Sequence, residues 1–416
     1  MIRAVSAPSS PDADRLAFVR AALPALEAGI YLNTGSVGPL PDETAAAMAE
    51  LAEYEVRTGR AHVDYYLETV QRMAEARASV AAVVTADVGD IALTHSTTDG
   101  MNVGVWGIEW RSGDRAVTTS LEHPGGIGAL YNLRARRGID VAFVDVSPSR
   151  SEDEILEAFD QAIDGRTRAV VVSHVLWASG AVLPIDRLAA MAHARDALLI
   201  VDGAQAAGAI PVDLGATGAD VYAVAAQKWL LGPEGMGAVA VAPGARERLT
   251  PAYGGHYTFE SVDSSGLAVW WQDARRYEAS NFHRPSIVGM ARSIGWLSMF
   301  VGLEWIHARG MATARATAER LAAIDGVELV TPLDRMATLI TFRIRGWTPD
   351  SALEELSARV FAVARTVPLI DALRISVGFF TSEAELDRFL GCVELLASHT
   401  PETLPPRRTL TILSGD

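Results

Sequence analysis

At 416 residues, with 49% hydrophobic and 21% charged side chains, the chain can build two or three domains and is too apolar to be disordered. A formal net charge of −15 argues against a broad basic footprint for nucleic acid or for an anionic membrane surface. The single cysteine, Cys392, excludes an intramolecular disulfide and points to a reducing, cytoplasmic setting.

Met1 to Asp14 carries Pro and Ser without a long apolar run, and reads as a frayed start rather than a signal peptide. A short helix is expected over 14–26, then a brief strand at 30–32 and the turn Asn33-Thr34-Gly35-Ser36-Val37-Gly38-Pro39. From Pro41 a helical region runs to about Val84, with a break near Gly59. Beyond Asp90 short apolar strands, at 91–93, 116–119, 141–144, 169–172, 198–201, 221–224 and 238–241, alternate with helical segments at 99–109, 126–136, 152–163 and 185–195. That rhythm predicts an α/β fold whose mostly parallel sheet is covered on both faces. Residues 249–285 are irregular and rich in aromatics, which suits either a bulky ligand or packing against a second copy.

After Pro285 a long helical pattern leads into a smaller α/β unit, with strands near 327–330, 337–343 and 373–377 and helices over 351–363 and 382–398. The expected division is 1–30, 31–285 and 286–416. Cys392 falls on the apolar side of the last helix, with Phe389 and Leu396, so it packs rather than reacts. The longest apolar stretch, 294–306, is too short for a membrane span and contains Glu304.

Lys228 is the only lysine among 36 cationic Lys and Arg side chains. Arginine serves salt bridges and phosphate contacts as well or better, so a retained lysine points to amine chemistry. A buried amine can shed its proton and attack a carbonyl, which a guanidinium cannot. Asp202 ends the apolar run Leu198-Leu199-Ile200-Val201, at the strand tip where ligands gather in such sheets. It suits a helix N-cap or a carboxylate that keeps a pyridinium nitrogen protonated. Thr97 and Thr98 open a helix, where hydroxyls and amides suit a phosphate. His123 follows another strand, placed for capping, for the core or for stacking on a flat ring. There is no Gly-Lys-Ser/Thr phosphate loop and no His-Glu-x-x-His or cysteine-based metal pattern.

The strand ending in Asp202-x-x-Gln205, followed by Gln227-Lys228-Trp229 and Gly232-Pro233-x-Gly235-x-Gly237, resembles the class V aminotransferases, fold type I pyridoxal phosphate enzymes. The resemblance runs from Tyr31 to Arg374. It implies a large domain with a mostly parallel sheet, a smaller C-terminal α/β domain and pyridoxal 5'-phosphate as cofactor. It further implies that Lys228 carries the cofactor as a Schiff base, that Asp202 pairs with the ring nitrogen, that Gln205 touches the ring oxygen and that His123 stacks on the ring. Thr97 and Thr98 would hold the phosphate, with Gln227 beside the lysine. Asn33 and Arg374 would meet an amino-acid substrate, Arg374 clamping its carboxylate. Arg276-Tyr277-Glu278 matches a family Arg-Phe-Glu stretch. Asn281 would reach the neighbouring subunit's phosphate, which implies a homodimer.

Three departures stand out. Ala225 and Gln227 replace a serine and a histidine common before the lysine. Trp177, near the substrate, replaces an asparagine. No cysteine lies between Lys228 and Arg374, so a persulfide-forming desulfurase is disfavoured. Activation of Cα followed by β-elimination from a cysteine S-conjugate is the leading expectation. Epimerisation, transamination and decarboxylation coupled to oxidative deamination remain rivals.

Overall fold

The computed structural model describes residues 12–279 and 281–407, so most of the expected frayed start lies outside the described residues. Among them a seven-stranded sheet has the order Ile91–Thr94, Gly237–Val241, Val221–Ala225, Leu198–Asp202, Thr167–Ser173, Arg115–Thr119 and Asp140–Val144. Only Gly237–Val241 runs against its neighbours; the other pairs are parallel. The central strands read as unbroken apolar runs because both faces are covered. Val170 and Val172 pack with Phe159 and Leu188 on one side, while Val171 packs with Ile127 and Leu130 on the other. All seven expected strands form, within a residue or two at their ends.

The helical region after Pro41 breaks where glycine predicts. Asp42–Thr58 stops at Gly59, whose φ is +80°, and Val63–Val84 follows. The aromatic stretch holds more order than expected, with a hairpin of Phe259–Val262 and Ala268–Trp270. A second, four-stranded antiparallel sheet has the order Val327–Leu329, Leu339–Ile344, Ala372–Ser376 and Arg365–Val367. Ile30–Tyr31 pairs with Ala362–Val363, and Ile30 and Leu32 pack into the core of this second unit. The early turn is thereby fixed beside Ser376, whose N–H donates to the Leu32 carbonyl at 2.7 Å. The helix expected over 351–363 is shorter. Pro349–Val360 ends at Phe361, whose φ of +57° turns the chain into the two short strands. Cys392 is buried in the core of this unit. Among the described residues no single helix is long and apolar enough to cross a membrane.

One buried histidine makes the fold sensitive to acid. His174 follows the strand Thr167–Ser173, and its Nδ1 lies 2.8 Å from the Tyr222 hydroxyl. Burial pushes its pKa down from 6.5 to about 4. The unfolded chain therefore takes a proton that the folded chain refuses until lower pH, so this contribution to stability is lost as pH falls from about 6.5 towards 4. His307 is buried with its pKa lowered to about 4 as well, so urea unfolding should show a loss between pH 7 and pH 5 that His174→Asn makes smaller by about 2 kcal/mol without abolishing it.

Candidate active site

The parallel strands end on one edge of the sheet, and the segments beyond Thr94, Thr119, Asp202 and Ala225 gather there. Together with the early turn and the second sheet they enclose a cavity of about 260 Å³. Its lining includes Thr97, Thr98, His123, Trp177, Asp202, Gln205, Gln227, Lys228 and Arg374. Nine of the eleven residues singled out in the sequence, spread over most of the chain, thus share one pocket.

On one side the helix Thr97–Gly107 begins, with Ser96 as its N-cap accepting the Asp99 N–H at 3.2 Å. Thr97 Oγ1 is buried and has no partner among the described residues. Free N–H groups, the helix dipole and an orphaned hydroxyl together suit an anion such as a phosphate. His123 caps the helix Pro124–Arg137; its Nδ1 accepts the Gly125 N–H at 3.1 Å, and Trp177 meets its ring edge-on at 5.3 Å. Burial, then the charge on Lys228, lower the pKa of His123.

Asp202 is buried, with Oδ1 accepting the Ala204 N–H at 2.9 Å. Gln205 is held by donating to the Gly35 carbonyl at 2.8 Å and accepting from Trp229 Nε1 at 2.9 Å. Lys228 lies in the turn after Ala225. The early turn packs on it so closely that a Cβ at Gly38 would come within 2.3 Å of the Lys228 carbonyl oxygen, so only glycine fits there. Burial lowers the Lys228 pKa to about 8; Asp202 opposes the shift, and Arg374 and Arg365 add to it.

Arg374 enters from the strand Ala372–Ser376 and is 1% exposed. It donates to the Trp177 carbonyl at 2.9 Å and to Ser36 Oγ at 3.4 Å, and its Nε has no partner among the described residues. Asn33 does not line the cavity but accepts from Ser36 Oγ at 2.8 Å. Asn281 is exposed and is not brought in; its carbonyl lies 3.4 Å from His95 Nε2.

Of the six lining residues not singled out in the sequence, Ser36 and Arg365 bear most on the charge of the site. Ser36 lies between the guanidiniums of Arg374 and Arg365. Arg365 pairs with Arg374 across the strands, lines the same cavity and stacks 5.5 Å over Trp177. The donor set as a whole fits a phosphate-bearing pyridine: an anion cradle, an acid, a flat wall, a depressed amine and a carboxylate clamp.

Residues 30–389 match the aminotransferase class-V family. A probable cysteine desulfurase of Methanothermobacter thermautotrophicus is 30% identical over 345 residues, spanning 81% of this chain and 84% of that protein. The isopenicillin N epimerase of Streptomyces clavuligerus is 27% identical over 382 residues, 88% of this chain and 94% of that one. A solved cystine C–S lyase, in complex with its product cysteine persulfide, superposes with a TM-score of 0.84 at 24% identity and covers 89% of this chain and 99% of its own. The chain belongs to the class V aminotransferase family, and is a pyridoxal-phosphate-dependent enzyme of fold type I.

Proposed function

We propose that the enzyme is a C–S lyase that acts on a cysteine S-conjugate carrying a second acidic group. The observation that carries this reading is the guanidinium pair. Arg374 and Arg365 face one cavity with Lys228, and among the described residues neither has a carboxylate partner. Arg374 is a buried cation that calls for an anion on the ligand, and the partly buried Arg365 beside it offers a second anion a partner. Arg374, the deeper, takes the α-carboxylate; Arg365 takes the acid on the sulfur substituent.

Lys228 would tether the cofactor at rest, Thr97 and Thr98 would hold its phosphate, Asp202 would pair with its ring nitrogen, Gln205 would meet its ring oxygen, and His123 would stack on the ring. Bound there, pyridoxal phosphate supplies the electron sink that acidifies Cα. Lys228 Nζ then takes the Cα proton, and its depressed pKa gives it a far larger share of free amine near neutrality than an ordinary lysine has. The Cβ–S bond breaks, the thiolate leaves with a proton from the same amine, and hydrolysis of the released fragment gives pyruvate and ammonia. Trp177 walls the path of the leaving group, and Gln227 flanks the lysine. A homodimer completes the site, Asn281 serving the partner's phosphate.

Transfer of sulfur to an enzyme thiol, as a desulfurase requires, is disfavoured by the one cysteine, which is buried in the core of the second unit with its thiol pKa pushed up to about 11. The decisive experiment is product analysis with cysteine S-conjugates that differ only in a distal carboxylate. Pyruvate and ammonia should form, with kcat/KM about 10–100-fold higher for the acidic conjugate. Alanine and a persulfide, an inverted Cα, or a keto acid that keeps its sulfur would each refute elimination.

A further inference from the structure

Glu122 takes no part in the chemistry above, yet its carboxyl is buried directly behind the site. It immediately precedes His123. Oε1 accepts the Thr119 hydroxyl at 2.9 Å and the Ser173 N–H at 3.0 Å, and Oε2 lies 2.5 Å from Ser173 Oγ. Ser173 is in turn the lateral neighbour of Asp202 across the parallel strands. The turn that follows Glu122 also closes on Asp202: a Cβ at Gly126 would sit 2.9 Å from Asp202 Oδ2. One carboxyl therefore ties together the strand ends and the turn that present Asp202 and His123.

The groups facing Glu122 are Thr119 from the strand before it, Ser173 from the next, and Asp202 beyond. Asp202 is the charged group whose field reaches it, and that field is repulsive. The neighbouring His174 ring bonds to the Tyr222 hydroxyl instead. With burial on every side and no cation beside it among the described residues, the carboxyl holds its proton to about pH 7.

We propose that Glu122 is a positioning residue that locks the His123 turn onto Asp202 and, by carrying or releasing a proton, sets how firmly the Asp202 side of the site retains the proton on the cofactor ring. Release of that proton adds negative charge behind Asp202 and strengthens its hold on a cationic ring nitrogen. A glutamine keeps most of the hydrogen bonds but can never supply that charge.

The test is an absorbance titration of the bound cofactor in the holoenzyme, from about pH 5.5 to about pH 9.5, for wild type, Glu122→Gln and Glu122→Ala. Wild type should show an inflection at about pH 7 that Glu122→Gln lacks. In infrared difference spectra over the same step, wild type should lose a protonated-carboxyl band that is absent from Glu122→Gln. Cofactor affinity should change little in Glu122→Gln and fall about 10-fold in Glu122→Ala, where the hydrogen bonds go as well. A Glu122→Gln spectrum that titrates like wild type overturns this role. Glu122 can act in this way only if Asp202 faces the ring nitrogen, as in the function proposed above. If Asp202→Asn leaves the titration untouched, that assignment of Asp202 has failed; if Asp202→Asn shifts it and Glu122→Gln does not, the positioning role of Glu122 has failed. The readout is the cofactor, so it stands apart from the identity of the substrate.

Discussion

Replacing Lys228 with alanine should lower turnover by about 10⁴-fold or more, and borohydride reduction of the wild type should place the cofactor on the peptide holding Lys228 and nowhere else. The size follows from two functions lost together, the covalent tether and the proton carrier at Cα. Lys228→Arg should be as inactive, because a guanidinium keeps the charge and loses the nucleophile. Since Lys228 is the only lysine, no second lysine side chain can substitute for it. Its pKa of about 8 has a testable consequence. Cofactor attachment to the apoenzyme should quicken as pH rises through about 8, as the free amine forms. Removing Arg365 should move that midpoint upward, because its charge helps hold the amine neutral. A Lys228→Ala protein that turns over at the wild-type rate would sink the assignment.

The strands that carry the site were legible because burial on both faces writes them as unbroken apolar runs, and their common direction follows from the helices between them. Lys228 and Asp202 were legible for a different reason, the rarity of one and the strand-tip position of the other. Arg365 was not. The helix pattern of 351–363 has no glycine or proline to stop it, and Phe361 takes the left-handed turn without a sequence signal. The strands beyond it have two and three residues, too few for any period to show. Glu122 was hidden because its partners, Thr119 and Ser173, lie at strand ends 54 residues apart and meet only through the sheet order. Asn281 remains a sequence expectation, since its proposed partner is the phosphate of another subunit.

The guanidinium pair offers the sharpest separation of binding from stability. Arg374 is almost fully buried, has no ion-pair partner among the described residues, and burial with the neighbouring Arg365 pulls its pKa down to about 9. A buried cation left without its anion is a burden on the empty protein, so Arg374→Met should raise the stability of the apoenzyme by about 1–3 kcal/mol in urea unfolding. The same change should lower kcat/KM by about 10²–10³-fold, because the charge-assisted fork to the substrate carboxylate is lost. Stability and activity moving in opposite directions would mark Arg374 as a residue kept for its ligand, whereas a merely structural arginine would lose both. Arg365 should behave more selectively. Arg365→Gln should raise KM for an acidic conjugate about 10–100-fold with kcat little changed, and leave the neutral conjugate nearly untouched. Equal effects on the two conjugates would show that Arg365 acts through Arg374 and Trp177 rather than on a second acid, and the dicarboxylate reading would have to be given up.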